Sequence, residues 1–116
     1  MQTIKIWHNP KCSKSRASFQ LLEEKGIKAE VISYMDKAPT VSELKSLLVM
    51  LDIKPRALMR TKEDIYKTLN LKNEINDETL ILAMVENPKL IERPIVIKGN
   101  KAVIGRPIEK VIELLG

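Results

Sequence analysis

The fold prediction rests on residues 3–34, with the sequence TIKIWHNPKCSKSRASFQLLEEKGIKAEVISY. Residues 3–7 are predicted as a short buried strand with Ile4 and Ile6 on one face, and a helix is expected to start near Ser13. Gly26 stands where the C-terminal cap of that helix is expected, and residues 28–34 are predicted as a second strand. A strand, a helix and a strand in about thirty residues predict a right-handed βαβ unit.

The rest of the chain adds a helical region and a hairpin to this unit. From about residue 40 to residue 88 the pattern is mostly helical, with a capping box at Thr40-Val41-Ser42-Glu43. Two apolar runs flank Gly99-Asn100, which predicts a β-hairpin, and residues 108–115 are predicted as a closing helix. The order βαβ, helical insertion, ββα predicts an α/β fold with a four-stranded mixed sheet, in a single domain over residues 1–116.

The positive charge of the chain is concentrated in one segment. The net charge is +5, yet no Asp or Glu occurs before Glu23, while Lys5, Lys11, Lys14 and Arg16 all do. Aromatic residues make up only 3% of the chain, too few for a platform that stacks bases, and there is no Arg/Lys-rich tail. We therefore expect a small anionic partner and no nucleic acid.

Three features indicate where the protein works. A single cysteine cannot form an intramolecular disulfide, and the first ten residues lack the apolar core of a secretory signal. The longest purely apolar run, residues 80–85, is too short to cross a bilayer. These features predict a cytoplasmic location and no membrane partner.

Cys12 is the candidate nucleophile. It follows the first predicted strand at the expected start of a helix, and Lys11 and Lys14 are close in sequence. Cations and helix N-termini lower the pKa of a thiol, and the thiolate is its reactive form. The alternative is an inert cysteine in the core, but two lysines within two positions fit an apolar interior poorly.

His8 is the only histidine in the chain. It could assist the thiolate, stabilise its loop, or simply hydrogen-bond the loop backbone, and the sequence leaves these roles open. One cysteine and one histidine do not make a four-ligand zinc site, so no metal is expected.

Two arginines precede prolines at the outer ends of the predicted hairpin. If the strands pair around Gly99-Asn100, Arg93 and Arg106 come close together. Each could be an ordinary surface cation. Two adjacent guanidinium groups repel one another unless an anion lies between them, and Arg is well suited to bidentate binding of tetrahedral oxyanions.

Four separated motifs extend in order along nearly the whole chain: His8-Asn9-Pro10-x-Cys12-x-x-Ser15-Arg16, Arg56-Ala57-Leu58-x-Arg60, Arg93-Pro94-Ile95-Val96 and Gly105-Arg106-Pro107. Together they resemble the glutaredoxin-coupled arsenate reductase family, and the chain is similar in length to its short members. The resemblance implies a thioredoxin-like fold with a helical insertion, in agreement with the predicted element order.

The resemblance also implies residue roles and a chemistry. Cys12 would attack arsenate, and Pro94 would be the cis-proline that faces the thiol. The oxyanion would be held by Arg60, Arg93 and Arg106, with support from His8, Asn9, Ser15 and Arg16. Glutathione, a co-substrate rather than a bound cofactor, would attack the arsenylated cysteine, release arsenite and leave a mixed disulfide that glutaredoxin clears.

The sequence is also compatible with two other functions. A glutathione-dependent thiol–disulfide oxidoreductase would use the same thiolate, with the arginines binding glutathione carboxylates. A non-enzymatic regulator of related fold would bind RNA polymerase, although Asn9 and Ser15 exclude a Cys-x-x-Cys switch around Cys12. A phosphatase loop is excluded because Ser18 stands where its arginine would be.

Overall fold

The computed structural model describes residues 3–116, which divide into two compact units. The sheet unit comprises the chain up to Tyr34 together with Arg93–Gly116, and the helical unit is Met35–Glu92. The helical insertion predicted at about residues 40–88 lies within the second unit. The start of the predicted domain at residue 1 lies outside the described residues, and the single-domain organisation stays a prediction.

The sheet unit contains a four-stranded mixed sheet in the order β2-β1-β3-β4. Its elements are β1 (Ile4–Trp7), α1 (Ser13–Glu24), β2 (Glu30–Ile32), β3 (Ile95–Lys98), β4 (Lys101–Ile104) and α5 (Glu109–Leu115). Strands β1 and β2 are parallel, whereas the β1–β3 and β3–β4 pairs are antiparallel. The predicted α/β class, mixed sheet and hairpin are confirmed.

The core of the sheet unit joins both its strands and its helices. Ile6 and Val96 are register partners on β1 and β3, and they pack with Leu22 of α1 and Val111 of α5. All four side chains are fully buried. Burial of an aliphatic side chain of this size contributes about 1.5–3 kcal/mol. This cluster therefore fixes α1, whose first turn lies next to Cys12, against the central strands.

Helix α1 ends as the sequence predicts. Gly26 has a φ of 71°, in the left-handed region that glycine adopts without strain. The N–H groups of Gly26 and Ile27 donate to the carbonyls of Glu23 and Leu22, at 3.0 and 2.9 Å. This pair of bonds is a Schellman motif.

The second strand is shorter than the predicted residues 28–34. Its last hydrogen bond to the neighbouring segment is donated by the N–H of His8, the residue after β1, to the carbonyl of Ile32, at 3.0 Å. Because β1 ends at Trp7, residues beyond Ile32 have no strand to pair with. Tyr34 instead lies in a turn, fully buried, with its ring centroid 5.9 Å from that of Trp7.

The helical unit contains α2 (Val41–Leu51), α3 (Asp64–Thr68) and α4 (Asp77–Glu86), with short 3-10 turns between them. The capping box is confirmed, with both bonds between Thr40 and Glu43 at 3.1 Å. Among the helices of residues 3–116, none is long and apolar enough to span a membrane.

Arg56 forms hydrogen bonds to three other residues of the helical unit. Its Nη1 donates to the Tyr66 hydroxyl at 2.5 Å and to the Leu71 carbonyl at 2.9 Å, and its Nη2 donates to the Glu74 carbonyl. Leaving a partly buried carbonyl without a hydrogen-bond donor destabilises the fold, so the Arg56 guanidinium stabilises the 3-10 turn after α3. The sequence pattern placed Arg56 in a motif but did not reveal this structural role.

We predict that Arg56→Ala lowers the free energy of unfolding by about 2–4 kcal/mol, because three charge-assisted hydrogen bonds are lost together. Urea denaturation followed by circular dichroism measures the loss, and hydrogen exchange should localise it to residues 64–74. Lys62→Ala is the matched control, since Lys62 is an exposed cation of the same unit. Equal stabilities of the two variants would contradict the role assigned to Arg56.

Candidate active site

Asn9 organises the loop that carries Cys12. Although it is polar, only 8% of its surface is exposed. Its backbone carbonyl accepts the Cys12 N–H and its Oδ1 accepts the Lys11 N–H, both at 3.0 Å. Its own N–H donates to Ser15 Oγ at 2.9 Å. These three bonds fix the path of the chain from β1 into α1.

Cys12 occupies the N-cap position of α1 and is partly exposed. Burial raises the pKa of its thiol. Polar interactions with the Ser15 N–H, the Arg93 guanidinium and the Lys14 N–H lower that pKa by a larger amount, so the net value is about 7. Neither N–H makes a well-aligned cap bond to the sulfur. We therefore attribute their effect to the electric field of the N–H dipoles at the helix N-terminus.

Arg93 and Arg106 meet at the open end of the hairpin, as the sequence predicts. Arg106 Nε donates to the Arg93 carbonyl at 2.7 Å, and Arg106 Nη2 lies 3.6 Å from Cys12 Sγ. The Arg93–Pro94 and Arg106–Pro107 peptide bonds are both cis, so the cis bond expected at Pro94 is present. The hairpin thus brings one guanidinium group to the sulfur in a fixed orientation.

The Arg93 side chain is held by interactions with two residues. Burial lowers the pKa of Arg93, but interactions with Cys12 and with Tyr34 raise it overall, so the guanidinium is firmly cationic. Its buried Nε has no hydrogen-bond partner among residues 3–116. Tyr34 was not recognised from the sequence, where a tyrosine after an apolar strand carries no functional signal.

Gly105 lets β4 approach the Pro94 loop closely. Its N–H donates to the Pro94 carbonyl at 2.8 Å. A Cβ at this position would lie 2.9 Å from Pro94 Cγ, closer than real Cβ contacts, and 3.0 Å from Ser18 Oγ, which is also unusually close. The glycine is therefore required for steric reasons, directly before the arginine that reaches Cys12.

The His8 ring contacts Ser15, in the first turn of α1. Its Nδ1 lies 2.6 Å from Ser15 Oγ. Burial and then the charge of Arg16 lower the pKa of His8, so its ring is neutral at neutral pH. A neutral ring with its proton on Nε2 can accept the Ser15 hydroxyl proton at Nδ1, while that hydroxyl accepts the Asn9 N–H.

Arg16 and Arg60 have structural contacts of their own. Arg16 Nη1 donates to the Pro10 carbonyl at 2.9 Å, which supports the loop. Arg60 lies in the helical unit, where its Nε pairs with Glu63 Oε1 at 3.3 Å and its N–H donates to the Leu90 carbonyl. The role of Arg60 toward a substrate stays a prediction. Within residues 3–116, no group of three His, Cys, Asp or Glu residues is placed to hold a metal ion.

The sequence matches the ArsC family over residues 7–114. The chain belongs to the ArsC family. It is 50% identical to the uncharacterized protein YfgD of Escherichia coli over 115 residues, which cover 97% of both chains. It is 48% identical to the arsenate reductase of Neisseria meningitidis serogroup B, over 99% of this chain and 100% of the relative.

A solved structure, the arsenate reductase from Vibrio cholerae, superimposes with a TM-score of 0.93 at 50% identity, over 97% of both chains. The thioredoxin-like fold implied by the resemblance is confirmed. The sequence and structural similarity to arsenate reductases also supports an oxidoreductase activity for this chain.

We predict that the rate of Cys12 alkylation by iodoacetamide rises with pH with a midpoint of about 7 in the folded protein. Urea-unfolded protein is the control and should give the free-thiol midpoint of about 8.5. Because Cys12 is the only cysteine, the signal reports this thiol alone. A folded-state midpoint equal to that of the unfolded chain would show that the loop does not activate the sulfur.

Proposed function

We propose that this protein reduces arsenate to arsenite, with Cys12 as its nucleophile and glutathione and glutaredoxin as external thiols. One observation carries the proposal. Arg106 Nη2 lies 3.6 Å from a sulfur whose pKa is about 7, and the Arg93 guanidinium interacts with the same sulfur, in a chain of the ArsC family. A thiolate between two guanidinium groups at a helix N-terminus suits attack on a tetrahedral dianion.

The first step forms a bond between sulfur and arsenic. Arg93 and Arg106 bind the arsenate oxygens. The thiolate attacks arsenic, the S–As bond forms, and one oxygen leaves as water after protonation. The guanidinium charges offset the negative charge that accumulates during attack. Without them, a thiolate and a dianion would repel one another.

The second step reduces the arsenic. A glutathione thiolate attacks the Cys12 sulfur, so that an S–S bond forms as the S–As bond breaks. The electron pair of the broken bond stays on arsenic, which passes from As(V) to As(III) and leaves as arsenite. Two thiols supply the two electrons, one from Cys12 and one from glutathione. Glutaredoxin then exchanges with the mixed disulfide and restores the Cys12 thiol.

The surrounding residues position this chemistry. Asn9 and Ser15 hold the loop, His8 orients the Ser15 hydroxyl, and Arg16 fixes the Pro10 carbonyl. A reducing cytoplasm is the proposed location, because the mechanism needs a free thiol and a supply of glutathione.

A second candidate is a glutathione-dependent thiol–disulfide oxidoreductase. The observation that favours it is the partial exposure of Cys12 together with its pKa of about 7. A thiol whose pKa is close to ambient pH is well suited to disulfide exchange, with or without an oxyanion.

A coupled assay with arsenate, glutathione, glutaredoxin, glutathione reductase and NADPH separates the two candidates. We expect NADPH consumption that requires arsenate and that Cys12→Ser abolishes, since Cys12 is the only cysteine in the chain.

Arg93→Lys should lower the arsenate-dependent rate by about ten- to a hundredfold, because an ammonium cannot make a two-pronged contact. Brisk disulfide exchange without arsenate-dependent turnover would refute arsenate reduction and favour the second candidate.

Arg60→Ala tests the remaining predicted arginine. If Arg60 binds the oxyanion, the variant should lose about ten- to a hundredfold in arsenate turnover and much less in glutathionylation of Cys12 by a small disulfide. Glu63→Gln is the matched control, because it removes the carboxylate partner of Arg60 and leaves the guanidinium in place. Equal losses in Glu63→Gln and Arg60→Ala would mean that the ion pair, not the oxyanion, accounts for the effect.

A further inference from the structure

We propose that Lys11 and Lys14 form a recognition surface for thiols that carry carboxylates, and that this surface selects the small thiol that reacts with Cys12. The proposal deepens the proposed function, because it concerns the second reactant at the same sulfur. We call the two residues the lysine pair. They lie on either side of Cys12 in the chain, and both side chains are exposed.

The lysine pair has no acidic partner among residues 3–116, whereas Lys5, Lys45 and Arg60 pair with carboxylates at 3.9, 2.9 and 3.3 Å. The first turn of α1 contains no acidic residue. Carboxylates are normally favoured at a helix N-terminus, where the backbone N–H groups carry partial positive charge. Lys14 lies in that turn, where its charge disfavours the helix. With no acidic residue in that turn, the Lys14 ammonium is available to an external anion.

The other cations around Cys12 are already engaged. Arg16 donates to the Pro10 carbonyl, and Arg106 donates to the Arg93 carbonyl and reaches the Cys12 sulfur. Arg93 interacts with Cys12 and Tyr34. Arg93 and Arg106 therefore face the reacting sulfur and Arg16 is occupied by the loop, so the lysine pair is left to meet groups farther out on an incoming molecule.

The backbone under the lysine pair is fixed although its ammonium groups extend into solvent. The Lys11 N–H donates to Asn9 Oδ1 at 3.0 Å, and Lys14 lies within α1. Flexible ammonium groups on a fixed base act as point charges that can follow the carboxylates of a small, mobile molecule. A peptide thiol of the glutathione class, with a carboxylate on each side of its sulfur, fits this arrangement.

A simple exchange reaction isolates the recognition step from arsenate chemistry. The Cys12 thiolate attacks a symmetric disulfide, so that a Cys12–S–S–R bond forms, the R–S–S–R bond breaks, and one R–S⁻ thiolate leaves. The disulfide supplies the oxidising equivalents, and no other reactant is needed. Oxidised glutathione is the anionic probe and cystamine is the cationic probe.

The experiment compares the ratio of the two exchange rate constants, glutathione disulfide over cystamine, in three proteins. They are the unmutated chain, Lys11→Gln/Lys14→Gln, and the control Lys25→Gln/Lys28→Gln. Both double variants lower the net charge from +5 to +3, since each removes two of the 20 basic residues. Lys25 and Lys28 are exposed and lie beyond the far end of α1. Because both probes react with the same thiolate, the ratio is independent of the thiolate fraction.

We expect the ratio to fall about tenfold in Lys11→Gln/Lys14→Gln at low ionic strength and to stay near the unmutated value in the control. In 1 M salt, where the Debye length is about 3 Å, the difference should largely disappear. An unchanged ratio would show that the lysine pair is only a solvated surface, and an equal fall in both variants would show a net-charge effect. Either result overturns the proposal without bearing on arsenate turnover, which the coupled assay measures separately.

Discussion

The geometry of the candidate site depends on one hydrogen bond across the open end of the hairpin. Arg106 Nε donates to the Arg93 carbonyl at 2.7 Å, which leaves Arg106 Nη2 directed at Cys12 Sγ. The bond requires that β3 and β4 stay paired up to their ends and that Gly105 approach Pro94 without a Cβ between them. The sheet, the glycine and the arginines are thus parts of one arrangement that faces the sulfur.

The opposite side of that arrangement is the start of α1. Leu22 anchors the helix in the core, and Asn9 fixes the loop before it. As a result, the N–H groups of the first turn and the hairpin guanidinium groups act on the same sulfur from two elements far apart in sequence. The N–H groups of Ser15 and Lys14 and the Arg93 guanidinium together outweigh the burial that raises the pKa of the Cys12 thiol.

The sequence predicts most of the sheet unit because its signals are local. Apolar runs, Gly26 and Gly99-Asn100 locate the strands, the helix end and the hairpin, and pairing around the turn then brings Arg93 and Arg106 together. Features that depend on contacts between distant residues are not predictable in this way. The early end of β2, the contact of Tyr34 with Arg93 and the ties made by Arg56 all depend on which chain segment lies opposite.

The proposed mechanism requires an oxyanion to bind directly beside the Cys12 thiolate. Sulfate, a tetrahedral dianion that thiols do not reduce, can stand in for arsenate when Cys12 alkylation is measured against pH, with chloride at matched ionic strength as the reference. A bound dianion repels the thiolate, so we expect sulfate to raise the midpoint above about 7 and Arg93→Gln to weaken this sulfate effect. The same midpoint in sulfate and in chloride would show that no oxyanion binds beside the sulfur.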